Sequence, residues 1–428
     1  MRTTADFSTR PLWWNGTSLS DPDGDALPSK VDVLIVGSGF TGSSAALEVA
    51  RSGRSVAVVE AQNLGFGSSS RNFGYIGGGI GKPRLAKRHP GERGEAMGRA
   101  YPDAADFVMQ LLERESIDAE VRSEGLSILA HTPDIFAHLA KDADAPANRE
   151  LGVEAIRSEE VFDNVIASRR FHGAVVNPDA KALNPGKYVD GMIKAARRHG
   201  ALFVANAEAL SIAGSPGNWT IRTNKGVVQA KQIGLGTNGH SGKLFQFLRK
   251  RIVPVVGTVI ATEELDTDFV RSLFPKLTWF TDTQFGFLCF RPSPDHKRVI
   301  FAKAGLPGSF SGDPRPNAAR VFKEMTATLP QLADVKIQHA WPGSVGVTFD
   351  GAPHLGVHEG VHFAAGYNGS GVAMASYLGY WMGRRLIGDT SNELVFEQAP
   401  FPTHFLYNGS TWFMPALRVL LNHLKLQV

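Results

Sequence analysis

The sequence predicts an α/β domain joined to a second, mostly antiparallel α+β domain. Three observations predict it. A β-branched run, a small-residue helix and another β-branched run succeed one another between Val31 and Glu60. Several strand-like runs crowd residues 243–345, and a strand, a glycine turn and a helix recur at 361–388. A chain of 428 residues exceeds one compact core, so two intimately joined domains are expected.

In chain order, the first 30 residues are rich in Pro, Gly, Asp and Ser and read as a surface arm that packs down through Trp13 and Trp14. Next, VDVLIVG reads as a strand, TGSSAALEVARSG as a helix ended by Gly53, and RSVAVVE as a second strand, which together start a parallel sheet. The glycine-rich stretch 65–81 is too flexible for a helix or strand interior and implies backbone packed close to a ligand. Residues 31–95, 165–242 and 346–395 are expected to form the α/β domain, and 96–164 and 243–345 the second domain. The tail 396–428 is expected to end in an apolar helix.

Composition narrows the function. With 43% hydrophobic and 20% charged residues the chain is an ordinary globular protein, not a disordered or fibrous one. Its 45 basic residues are scattered among 41 acidic ones, with no basic stripe interleaved with aromatics, which argues against a nucleic-acid partner. The single cysteine, Cys289, excludes an intrachain disulfide and suits a reducing compartment, so the cytoplasm is the expected location. The N-terminus lacks the apolar core of a signal peptide, and no apolar run reaches the roughly 20 residues of a membrane span. The thirteen histidines show no helical ligand spacing, and no metal is expected.

Gly37, Gly39 and Gly42 stand in G-x-G-x-x-G spacing directly after a strand and before a helix. This pattern permits a tight turn, close approach of a pyrophosphate and close helix packing, with the helix N-terminus offering N–H groups to phosphate. Glu60 ends the second strand, where its carboxylate can bond a ribose diol without a 2′-phosphate. A dinucleotide is expected, and these residues alone fit NAD as well as FAD.

From Val31 to Gly79 the sequence resembles the opening of the glutathione-reductase-type flavoproteins. Within them it is most similar to the amine and amino-acid oxidase branch, which includes D-amino-acid, glycine and sarcosine oxidases, and to the gamma-glutamylputrescine oxidase type. ALNPGKYVDGMIKAARRHGA, IGLGTNGHS and AWPGSVGVTFDGAPHLG, running on to HFAAGYNGSGVAMASYLGYWMGRRLIGD, carry the likeness along nearly the whole chain. The resemblance implies non-covalent FAD in a Rossmann-type domain. Ser68, Ser69, Ser70, Arg71 and Asn72 would line the pyrophosphate and ring end of FAD, followed by Phe73 and Gly74. The turn Gly366, Tyr367, Asn368, Gly369, Ser370, Gly371 and Val372 would aim N–H groups at the flavin pyrimidine. Phe40, Thr41, Ala61, Ala209, Gly236, Thr237 and Asn238 would complete the cofactor contacts.

Asn72, Gly74, Trp341 and Arg291 are the candidates nearest the chemistry. Glycine-oxidase-like members place a carboxylate-gripping arginine where this chain has Val345, so an amine becomes the expected substrate in place of a simple α-amino acid. Arg291 is open to two readings, a distal-acid anchor or an exposed structural arginine. Phe73, Tyr75 and Trp341 form either an aromatic wall for an amine or ordinary packing, and one of His339 and Trp341 is expected to face the site. Sarcosine-oxidase relatives attach flavin through a cysteine after this tryptophan, and 344–352 has none. Their oxygen-activating lysine has its counterpart candidate in Lys303. The expected reaction is hydride transfer from an amine C–H to flavin N5, followed by imine hydrolysis, with O2 or another electron acceptor. An amino-acid oxidase or dehydrogenase acting on D-amino or imino acids is the alternative. A flavin hydroxylase is less favoured, because GYNGSGVA replaces the late GDAAH-type motif.

Overall fold

The computed structural model describes residues 1–19, 24–77, 85, 88–284, 288–307, 313–397 and 400–410. The apolar helix expected in the tail, and residues 78–81 of the glycine-rich stretch, lie outside the described residues. Two large sheets organise the chain. The first runs in the order Ala209–Ser215, Asn218–Thr223, Gly226–Leu235, Lys30–Val36, Val56–Val59 and Leu202–Val204, with Val361–Ala365 beside the end of Gly226–Leu235 and His354–His358 beside that. Its central strands are parallel. Lys30–Val36 is buried on both faces, which is why it reads as one apolar run. Phe40–Arg51, Pro185–Arg198 and Gly371–Leu386 share one core on this sheet. Small residues in Phe40–Arg51 let it lie close to Gly371–Leu386: a Cβ at Gly379 would sit 2.5 Å from the Thr41 carbonyl oxygen.

The second sheet has nine strands in the order Thr3–Ser8, Ile337–Thr348, Ile252–Thr262, Val299–Pro307, Leu288–Pro292, Trp279–Asp282, Leu126–Leu129, Gly173–Asn177 and Glu154–Arg157. Pairing is antiparallel except at Thr3–Ser8 with Ile337–Thr348 and at Trp279–Asp282 with Leu126–Leu129. Strand alternation gives it two apolar faces. Ile260, Phe280, Phe290 and Phe301 share one core with the Arg315–Thr328 helix, while Val259, Ala261, Trp279, Ile300 and Trp341 join the core of the first domain.

Three boundaries differ from the sequence expectation. Thr3–Ser8, in the arm expected on the surface, is indeed largely exposed but forms an edge strand of the nine-stranded sheet and so belongs to the second domain. Gly173–Asn177, expected in the α/β domain, pairs with Leu126–Leu129 and Glu154–Arg157 in the other sheet. The helix Glu92–Arg114, most of which was expected in the second domain, buries Met97, Tyr101, Ala104, Val108 and Leu111 in the first domain's core. In each case long-range pairing, which local pattern does not encode, chose the neighbour. No helix among the described residues is long and apolar enough to cross a membrane.

Candidate functional site

Four turns converge at the C-terminal end of the parallel strands, where ligands of such sheets bind. In the first, Gly37 takes φ +97°, open to glycine without strain, and Gly39 caps the helix Phe40–Arg51. A Cβ at Gly42 would lie 1.8 Å from the Gly37 carbonyl oxygen, so only glycine lets the helix start this close to the strand. The Phe40 N–H donates to Ser69 Oγ at 2.9 Å, while the N–H groups of Thr41 and Gly42 find no acceptor among the described residues. They remain for an anion.

Glu60 stands where the sequence places it. Its Oε2 accepts from the Ser38 N–H at 3.0 Å and the Ser38 hydroxyl at 2.8 Å, and its Oε1 from the Gln62 N–H at 3.3 Å. Burial pushes its carboxyl above the usual value, against the pull of the Ser38 bonds. Ala61 follows it, and the Ala207 N–H donates to the Glu60 carbonyl, which brings the start of Ala209–Ser215 alongside.

The second turn, Ser68–Ser70 with the residues after it, is held from several sides. Asn72 Nδ2 donates to the Ser68 and Ser69 carbonyls at 3.0 and 2.9 Å, and its Oδ1 accepts from the Gly74 N–H at 2.7 Å. Asn72, a candidate for chemistry, thus shapes its own loop. Arg71 donates from Nε to the Phe66 carbonyl, and burial brings its guanidinium down to about 10, still a cation at neutral pH. Gly74 takes φ +72° with its Cα against the Leu183 carbonyl, a contact no side chain would fit.

In the third turn, Gly236 packs against Gly42, the Thr237 hydroxyl bonds Ser241, and Asn238 Oδ1 accepts from the Gly366 N–H at 2.9 Å. Gly366 opens the fourth turn. Tyr367 OH lies 2.6 Å from Thr41 Oγ1 and donates to the Ala364 carbonyl, a link between the two helix-start turns that sequence reasoning missed. Asn368 Oδ1 accepts from the Thr348 N–H at 2.9 Å. Gly369 and Gly371 face open space: a Cβ on either would meet nothing within 4 Å. Ser370 caps Gly371–Leu386 without a side-chain bond, and Val372 is buried in that helix's first turn. His240, also missed, reaches Ser68 Oγ at 3.3 Å; burial and the Arg71 charge hold its imidazole below its usual value. Two open helix N-termini, a ribose-ready carboxylate and a loop carrying Arg71 fit a dinucleotide pyrophosphate.

The nine-stranded sheet forms the opposite wall. Its cross-strand rows are Trp341, Val259, Ala302, Cys289, Thr281 and Ile128, then Gly343 and Gly257, then Val345 and Val255. Trp341 is fully buried and its Nε1–H donates to the Arg71 carbonyl at 3.1 Å, which orients these rows toward the Ser68–Gly74 loop. Val345 is 37% exposed. Tyr75 stacks on Trp279 at 5.0 Å, with Phe73 edge-on to the same indole at 6.4 Å.

Three sequence expectations need correction here. Arg291 is not exposed: it is 2% accessible, and its guanidinium donates to the Phe73, Leu183 and Pro292 carbonyls. His339 and Trp341, two apart on a strand, share one face, and His339 donates from Nδ1 to the Arg10 carbonyl. Lys303 follows Phe301 by two, so it points to the opposite face of the sheet and pairs with Glu324. It does not border the site. Away from the site, a concavity of about 880 Å³ lies where four helix ends meet, lined by Arg51, Arg114, Arg198, Arg384, Glu48 and Glu115. Arg51, Arg198 and Arg384 pair with those carboxylates and offset the helix dipoles. Among the described residues no cluster of metal-ligating side chains is present.

Comparison with known proteins agrees with this geometry. Residues 32–385 match the family model described as DAO, FAD dependent oxidoreductase. The chain is 28% identical to a probable oxidoreductase OrdL of Rhizobium meliloti, over 95% of each chain. It is also 28% identical to gamma-glutamylputrescine oxidoreductase of Escherichia coli, over 88% of each. In structure it is similar to glycine oxidase from Geobacillus kaustophilus, with a TM-score of 0.72 at 19% identity over 88% of this chain and 99% of that one.

Proposed function

The chain belongs to the DAO family of FAD dependent oxidoreductases, and on that premise we propose that it oxidises a primary or secondary amine in preference to an α-amino acid. FAD is its cofactor, and when bound it would supply the redox chemistry as acceptor of the hydride from the substrate C–H. One observation carries the proposal. The rows of the sheet that face the cofactor loop, from Trp341 to Ile128 and on through Gly343, Gly257, Val345 and Val255, bear no charged side chain. The adjoining row does carry Arg291 and His339, but both are engaged with backbone carbonyls. A substrate α-carboxylate against this wall would be desolvated without a partner, which costs several kcal/mol in order of magnitude. A neutral amine incurs no such penalty. The same apolar wall disfavours the ammonium form, and the Tyr75, Trp279 and Phe73 rings exclude water beside it.

The cofactor is held without a covalent link. Cys289, the chain's one cysteine, is a neutral thiol whose pKa burial pushes up to about 12, and its Sγ–H donates to Thr281 Oγ1. Acid precipitation should therefore leave all flavin in the supernatant. The decisive experiment is an anaerobic titration of the flavoprotein with amines and amino acids, followed through the oxidised flavin band. Bleaching by an amine at concentrations where α-amino acids leave the spectrum unchanged supports the reading. Bleaching by glycine or D-amino acids alone overturns it. Reoxidation by air, or only by an artificial acceptor, then identifies an oxidase or a dehydrogenase.

A further inference from the structure

Residues 1–31 precede the family-matched region, yet they make some of the closest contacts to the cofactor loop. Thr3–Ser8 adds to the edge of Ile337–Thr348, and His339 fixes the Arg10 carbonyl just beyond. The chain then turns inward and buries two adjacent tryptophans, Trp13 to 1% and Trp14 to 6%. Trp13 stands edge-on to Trp341 at 6.3 Å, and its backbone carbonyl fills the space a side chain at Gly186 would need. Farther on, Ser18 bonds Asp190, and Asp25 bonds Arg197 and the Phe203 N–H. The arm is therefore anchored at both ends, once on each domain.

Trp14 reaches the loop itself. Its indole N–H donates to Ser70 Oγ at 2.8 Å, and that hydroxyl donates onward to the Gly65 carbonyl at 2.6 Å. Ser70 is fully buried, so both bonds close inside the protein. The Arg71 guanidinium lies over both the Trp14 ring, at 4.9 Å, and the neighbouring Phe66 ring, at 4.3 Å. Neighbouring Ser69 accepts from the first N–H of the Phe40–Arg51 helix. One side chain from outside the matched region thus grips two consecutive residues of the loop that faces the helix N-terminus.

We propose that Trp14 is a positioning residue for FAD: its N–H and ring hold Ser70 and Arg71, and through them the Ser68–Gly74 loop, in the arrangement that receives the cofactor. The proposal rests on that loop bordering FAD. A phenylalanine at this position would keep an aromatic ring against Arg71 while losing the donor and part of the buried indole, whereas an alanine would remove donor and ring together.

The test measures FAD binding to the full-length apoprotein by flavin fluorescence quenching, beside thermal unfolding of the same apoproteins. Trp14→Phe is expected to weaken FAD about tenfold, equivalent to about 1.4 kcal/mol, with a modest fall in apoprotein unfolding temperature from the lost buried bond and ring volume. Trp14→Ala is expected to weaken it further. In a cycle with Ser70→Ala, the double variant Trp14→Phe/Ser70→Ala should bind FAD no worse than the weaker single variant, because both break one bond. FAD affinities of Trp14→Phe and Trp14→Ala within twofold of wild type would overturn the proposal, whatever their unfolding temperatures. So would single losses that multiply in the double variant. If Trp14→Ala does not fold, Trp14→Phe and the cycle still decide. Wild-type protein that binds no FAD would refute the cofactor reading itself, an outcome distinct from the variants matching wild type.

Discussion

Replacing Gly42 by alanine tests the glycine turn at its tightest point. The new methyl would stand 1.8 Å from the Gly37 carbonyl oxygen and 3.0 Å from its carbon, and real Cβ contacts essentially never fall below 3.0 Å. The start of the Phe40–Arg51 helix must therefore move by at least about 1.2 Å, the difference of those two distances. Neither side yields easily, because both colliding atoms belong to the backbone and Gly37 is itself fixed against Gly236. Overpacking of this kind costs about 1–3 kcal/mol in the protein without cofactor. The displacement also shifts the Thr41 and Gly42 N–H groups proposed to receive phosphate, so the loss in FAD affinity should exceed the loss in apoprotein stability. Flavin content from the ratio of flavin to protein absorbance, with thermal unfolding with and without added FAD, measures both. A Gly42→Ala protein that purifies with full flavin and unfolds at the wild-type temperature would refute the close-approach argument.

Three further outcomes follow from other parts of the molecule. Gly371→Ala should leave the apoprotein as stable as wild type or slightly more so, since its methyl meets open space at a helix start, but should lower FAD affinity if the proposed cofactor site includes that space; unchanged affinity by fluorescence titration would place FAD elsewhere. Val345→Arg adds a cation to the apolar wall and should raise kcat/KM for glycine or a D-amino acid relative to an amine about tenfold, equivalent to about 1.4 kcal/mol; an unchanged ratio in steady-state assays would show that Val345 does not face the substrate. His362 is pushed down to about 4 by burial and the Arg385 charge. The unfolded chain takes up its proton near 6.5 and the folded one only near 4, so this contribution is complete above pH 6.5 and lost as pH falls toward 4, with an upper limit of about 3 kcal/mol. His362→Asn should flatten the unfolding temperature between pH 6.5 and 4, and a slope identical to wild type would exclude the histidine as its source.

The sequence by itself determined the features that depend on neighbours along the chain. Gly37, Gly39, Gly42 and Glu60 were legible because a strand, a tight turn and a helix N-terminus must follow one another within a few residues. The Gly366–Val372 turn was legible for the same reason. The opposite face of Lys303 could have been read from its spacing to Phe301, since strand alternation is local. Only the tertiary structure decided the contacts between distant segments. Tyr367 meets Thr41, Asn238 meets Gly366, and Trp14 meets Ser70 across separations that no periodicity marks. Arg291 looked available for a substrate, and burial against three carbonyls engaged it instead. Backbone geometry is written in local residue choice, whereas the partner of a buried polar group is fixed only when the two sheets close on each other.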